Sequence, residues 1–158
     1  MTNSQTKESI QDCIHQSNLI EGYDSADYDK QSLLAWKRLQ PLKSLTHYDI
    51  IKTQKIITLL QDDIAPDQRG YYRKVNVRVG NYIAPNHTMV TILMDNWLND
   101  CKTLEPMEAH IRFEKIHPFI DGNGRTGRML MWWHEVKLGL QPTLIKNSEK
   151  QDYYKELL

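Results

Sequence analysis

At 158 residues the chain is long enough for one full hydrophobic core and too short for two, so it reads as a single domain, 1–158. Lysine plus arginine number 20 and aspartate plus glutamate 20, which leaves no net charge to draw the chain toward nucleic acid or anionic lipid. There is no leader-like segment and no membrane-length apolar run, and Cys13 and Cys101 lie far apart without metal-ligand spacing, so buried free thiols in a reducing cytoplasm are expected.

Taken in chain order, the first predicted element is a helix over about 6–22, with Ile10, Cys13, Ile14, Ser17 and Ile20 on one stripe and Gly22 as its stop. At about 100° per residue, Glu21 projects within roughly 20° of Ile10, inside that apolar stripe. An inward carboxylate calls for a cation or hydrogen-bond donors. A second helix follows over 24–39, capped by Ser25 or Asp27, with Tyr28, Ala35, Trp36 and Leu39 inward and Pro41 as its end. The third opens at Thr46, where Asp49 completes a capping box, and runs through Ile50, Gln54, Ile57 and Leu60.

Residues 69–85 change character. Val75, Val77 and Val79 alternate with polar residues, Gly80-Asn81 is a two-residue turn, and Tyr82 to Ala84 returns, which predicts a short β-hairpin over about 74–84. Thr88 is expected to cap a helix reaching Cys101, and Pro106 to open another that must end near His117, since Pro118 disfavours helical geometry before it. The next helix, 124–138, buries Met129, Trp132, Trp133 and Val136, and a last one carries Tyr153, Tyr154 and Leu157. His110 and His134 lack partners at metal spacing and read as structural or solvated. The fold class is mainly α, a helical bundle with one hairpin.

The densest chemistry lies in 117–128, HPFIDGNGRTGR. Gly122 and Gly124 permit a turn whose N–H groups converge at a helix start, a cradle for an anion. Arg125 and Arg128, three apart on the first helical turn, can clamp further phosphate oxygens. Asp121 is a hard oxygen ligand suited to magnesium, and His117 is the one group there that takes up a proton near pH 7. Phe119 reads as a plug into the core.

These residues fill the pattern H-x-F-x-[D/E]-G-N-G-R-x-x-R, and the stretch resembles the signature of the Fic family. The resemblance implies a Fic-type helical bundle with a hairpin flap, acting as a nucleotidyltransferase: AMPylation, the transfer of AMP from Mg²⁺–ATP to a Ser, Thr or Tyr hydroxyl of a target protein, with self-modification left open. By it, His117 is the general base and Asp121 the Mg²⁺ ligand. Gly122, Asn123 and Gly124 hold phosphates, and Arg125 and Arg128 take the outer ones, with Asn123 and Arg128 counted among the catalytic set. A phosphoryl-transferring branch carries Lys where Gly124 stands, which argues against that reaction. The Gly70 to Arg73 segment resembles the family's lead into its flap, so Arg73, Val75, Val77 and Val79 are expected to bind the target by strand pairing.

Ser17, Glu21 and Gly22 resemble the [S/T]-x-x-x-E-[G/N] motif of the family's inhibitory helix, whose glutamate pairs with the second signature arginine, here Arg128, and keeps the ATP γ-phosphate from it. That implies autoinhibition by an N-terminal helix. Other readings stay open on sequence alone: transfer of UMP or phosphocholine, removal of AMP by a water that Glu21 positions, a nucleotide-binding module without turnover, or inhibition by a separate chain. No nucleic-acid or membrane partner is expected, and self-association is undecided.

Overall fold

In a computed structural model, which describes residues 3–158 and side chains from residue 10 onward, the described residues form seven α-helices and one small hairpin, with the sixth helix packed against the first, third and fifth. The first helix, α1 (Asn3–Ile20), buries Ile10, Cys13, Ile14, Ser17 and Asn18 and stops in a turn where the Gly22 and Tyr23 N–H groups bond to Leu19 and Asn18 carbonyls. The second, α2 (Ala26–Leu39), is capped by Ser25, whose side chain accepts from the Tyr28 N–H. For α3 (His47–Ile57), both halves of the Thr46–Asp49 capping box form. This helix ends one turn earlier than expected: Leu60 is exposed, beyond a Thr58 cap whose N–H returns to the Gln54 carbonyl.

The hairpin is also shorter than the valine alternation predicts. Only β1 (Arg78–Val79) and β2 (Tyr82–Ile83) pair, antiparallel, with Arg78 opposite Ile83 and Val79 opposite Tyr82. One further bond, from the Ala84 N–H to the Val77 carbonyl, extends the ladder, and Val75 lies off it and exposed. The return strand reaches Pro85 too soon to pair any farther. Thr88 is not the expected cap: Asn86 caps a short 3₁₀ turn, 87–89, accepting from the Thr88 N–H and hydroxyl, and α4 (Val90–Asp100) follows it directly.

Pro106 opens α5 (Pro106–Ile116) as expected, and α6 (Asn123–Lys137) packs against α5, α3 and α1. Its sides are nearly all buried. Met129, Leu130, Met131 and Trp132 each lose almost all contact with water, roughly 1.5–3 kcal/mol apiece for a large apolar side chain. The indole N–H groups of Trp132 and Trp133 are satisfied by the Thr143 and Leu42 carbonyls. The last helix, α7 (Lys150–Leu157), rests on α5 through Tyr153 and Leu157. Cys13 and Cys101 are free and buried, with burial pushing the Cys13 thiol up to about 12. Among the described residues no helix is long and apolar enough to cross a membrane.

Candidate active site

Pro118 ends α5, and His117 adopts the left-handed conformation (φ 51°, ψ 62°), the one non-glycine positive φ among the described residues. Such a backbone persists only when its surroundings hold it. Arg73 does so: its guanidinium donates to the His117 carbonyl at 2.7 Å and to the Ile116, Val75 and Pro85 carbonyls, while its own N–H reaches the Pro118 carbonyl. This corrects the expectation that Arg73 belongs to a target-binding surface. The side chain is 3% exposed and its donors are spent on main chain. Burial, with Arg73 adding to it, holds His117 below the usual histidine range, so its ring is neutral at pH 7.

The turn after His117 is built around a reciprocal pair. Asn123 accepts from the Phe119 N–H at 2.9 Å and donates to the Phe119 carbonyl at 2.8 Å, which seats the fully buried Phe119 ring. The Asn123 side chain therefore faces inward, not toward a phosphate as expected, and its place in the site is to shape the loop. Gly122 (φ +79°) occupies a backbone region closed to most side chains, and a Cβ there would lie 2.7 Å from the Thr58 methyl.

Asp121 is half-buried. Its Oδ1 accepts from the Gly122 N–H at 2.6 Å and its Oδ2 from Gln61 Nε2 at 2.9 Å, and each oxygen keeps a lone pair for a cation. Among the described residues no cluster of three or more His, Cys, Asp or Glu side chains could hold a metal. A lone carboxylate beside an anion cradle suits Mg²⁺, which keeps most of its shell in water and phosphate oxygens.

The two arginines, three residues apart, meet different partners. Arg125 donates through Nη2 to Gln61 Oε1, and the Tyr23 ring covers it, 4.4 Å from the guanidinium carbon to the ring centre. Its Nε and Nη1 are buried without a partner. Arg128 is fully buried and donates to the Ser17 hydroxyl at 2.8 Å, the Ser17 carbonyl at 3.2 Å and Glu21 Oε1 at 2.7 Å. The structure thus brings Ser17 and Glu21 to the second arginine, although α1 ends at Ile20, short of the expected 22, so that Glu21 stands in the turn after it and stays partly exposed. Burial opposes the charge on Arg128, but Tyr153 and Glu21 outweigh it and hold its pKa above the ordinary value. Gly124 is equally close: a Cβ there would lie 2.3 Å from Glu21 Oε1.

A cavity of about 320 Å³ opens beside this ion pair, with Glu21, Glu114, His117, Gly124 and Arg128 on one side. The hairpin supplies Val79 and Gly80, and α7 supplies Tyr154 and Leu157. Of the expected flap residues only Val79 reaches it. Asp121 and Arg125 are not among its lining residues.

Several participants were not foreseen. Tyr153 receives a bond from Arg128 at 3.4 Å and pairs with the His110 ring nitrogen at 2.6 Å, so His110 is structural as expected but tied to the site. Burial raises Glu114 to about 8 and lowers His110 to about 3, which leaves both neutral at pH 7. Gln61 and Tyr23 carry no motif; the sequence signal for Tyr23 is only its place two residues after Glu21.

The chain matches the Fic/DOC family over residues 44–134, which takes in α3, the hairpin and most of α6 and leaves out α1. It is 32% identical over 151 residues to the Protein adenylyltransferase Fic of Drosophila grimshawi, covering 89% of this chain and 29% of that protein. The chain thus spans less than a third of the length of that curated relative. A Fic domain containing signaling protein from Bacteroides thetaiotaomicron superposes with a TM-score of 0.80 at 19% identity, over 98% of this chain and 72% of the other. IbpAFic2 covalently tethered to Cdc42 superposes with a TM-score of 0.70 at 18% identity, over 90% of this chain and 50% of the other.

Proposed function

The chain belongs to the Fic/DOC family, and from that premise we propose that it is a protein adenylyltransferase held in check by its own α1. The observation that carries the reading is the shared cavity: a neutral, half-buried histidine, the Gly124 cradle and Arg128 face one space, with the Glu21 carboxylate already on Arg128. The curated relative above is named for the same activity.

In this reading a target hydroxyl attacks the α-phosphorus of ATP, the bond to the β-phosphate breaks, and pyrophosphate leaves. His117 takes the hydroxyl proton on a ring nitrogen. N–H groups of the Gly122–Gly124 turn and Arg125 hold phosphate oxygens, and Asp121 would hold Mg²⁺, which would supply charge neutralisation at the phosphates when bound. Tyr154 and Leu157 form the apolar wall that suits the base. A protein is the partner class, in keeping with the tethering of IbpAFic2 to Cdc42. Val79 and the free hairpin edge are the surface offered to it, and the buried free thiols fit a cytoplasmic setting.

Autoinhibition follows from one guanidinium serving two anions. While Glu21 occupies Arg128, a γ-phosphate cannot, and Tyr23 lies across Arg125 at the same time. The test is α-labelled ATP with Mg²⁺ and three chains, wild type, Glu21→Gly, and Glu21→Gly with His117→Ala, in a lysate and alone. Label on the Glu21→Gly sample alone is expected. Equal label on the His117→Ala double variant would remove the base, and label from γ-labelled ATP instead would mean phosphoryl transfer.

A further inference from the structure

Gln61 lies outside every motif in the chain, yet it is 3% exposed and each polar atom of its side chain is engaged. Its Nε2 donates to Asp121 Oδ2 at 2.9 Å, and to Asp63 Oδ1 at 3.4 Å, and its Oε1 accepts from Arg125 Nη2. The amide's orientation is forced: an ionised carboxylate only accepts and a guanidinium only donates, so oxygen must face Arg125 and nitrogen Asp121. No other natural side chain of this length offers a donor and an acceptor on one rigid plane.

The main chain at this position is fixed as well. The Gln61 N–H bonds to the Thr58 carbonyl at 3.0 Å, and Arg69 spans the turn from the Gln61 carbonyl at 2.5 Å to the Thr58 carbonyl at 3.0 Å. The amide is therefore presented from a braced turn, with its ordering cost already met on folding. It holds Arg125 by Nη2 alone and leaves Nε and Nη1 unpartnered, as a guanidinium awaiting an anion would be left.

We infer that Gln61 is a positioning residue that ties the Asp121 carboxylate to the Arg125 guanidinium, so that the metal ligand and the phosphate clamp keep one fixed geometry. The identity of the metal and nucleotide rests on the adenylyl-transfer reading; the tether itself does not. Aspartate alone could swing about its own side-chain bonds, and Arg125 could collapse further against Tyr23. Gln61 restrains both. Outer partners of this kind typically govern metal affinity by roughly 10- to 100-fold.

The test uses the Glu21→Gly chain, with Gln61→Met as an isosteric replacement that removes all three side-chain hydrogen bonds. Without nucleotide, ¹⁵N spectra of the arginine side chains should show a slowly rotating Arg125 guanidinium, freed in Gln61→Met while the melting temperature stays within a few degrees. Titration of Mn²⁺ in the presence of ATP, followed by its paramagnetic resonance, should then weaken about tenfold in Gln61→Met. The same replacement in an Arg125→Ala chain should cost much less, because the partner is already gone. An unchanged Arg125 signal, or an equal loss with and without Arg125, would overturn the tether. If no variant binds Mn²⁺–ATP, the functional reading fails, and the arginine spectra still decide the inference.

Discussion

The 117–128 turn and the 74–84 hairpin face the same cavity and are held in opposite ways. In the turn, a left-handed histidine is gripped by Arg73, a phenylalanine is seated by Asn123, and both signature arginines are buried among named partners. In the hairpin, two residue pairs and one extra bond form the ladder, and Val75 and Ile83 are exposed. Reacting groups have to be placed to a fraction of an ångström, so their loop is over-determined. An edge that adds a strand from a partner needs only unpaired main chain, so it is left light.

The largest effect expected belongs to the turn. His117→Ala in the Glu21→Gly chain should lower transfer by roughly 10²- to 10⁴-fold, in the range for loss of a general base, with little change in melting temperature. Because burial depresses the His117 pKa, transfer should hold steady from pH 8 to pH 7 and decline only as pH falls below the usual histidine range. A rate that keeps rising between pH 7 and pH 8 would contradict a base that is already neutral.

Next in size is Asn123→Ala, expected to destabilise the fold by about 2–4 kcal/mol, since it strips two bonds from a buried loop and leaves the Phe119 amide unpaired. Denaturant unfolding measures this. A loss below about 0.5 kcal/mol would mean that Phe119 alone seats the turn.

Glu114 shows how the dense region limits stability. Its folded pKa, near 8, lies above its ordinary value of 4.5, so the folded state keeps a proton that the unfolded chain releases. Its contribution is therefore intact below about pH 4.5 and is lost as pH rises toward about 8. Glu114→Gln should flatten the fall in melting temperature between pH 5 and pH 8; an unchanged slope would place that proton elsewhere.

The smallest effect on folding is expected in the hairpin. Val77→Pro should change stability by less than about 1 kcal/mol, yet reduce modification of a target more than self-modification. Equal loss of both would show that the hairpin shapes the site and does not pair with the target.

What was legible in the sequence follows the same division. The 117–128 residues read clearly because consecutive positions share one turn and their spacing fixes their relation. Glu21 was legible because a helical wheel aims it inward, and Arg128 was the cation it met. Gln61, Tyr23 and Tyr153 were not, because they reach the site only through the packing of α1 and α3 on α6 and of α7 on α5. Arg73 misled for another reason: its place at the lead into the hairpin read as part of a target-binding flap, and only the folded chain shows carbonyls converging on it. The valine alternation overstated the hairpin, since alternation describes one strand and says nothing of whether its partner is long enough.

Autoinhibition requires that Arg128 serve either Glu21 or a γ-phosphate. Calorimetric titration of Mg²⁺–ATP and Mg²⁺–ADP into wild type and Glu21→Gly tests that directly. Glu21→Gly should bind ATP at least tenfold more tightly than wild type does, with the ADP affinity nearly unchanged, because only ATP carries the phosphate that competes with the carboxylate. Equal ATP affinity in the two chains, or an equal gain for ADP, would contradict it.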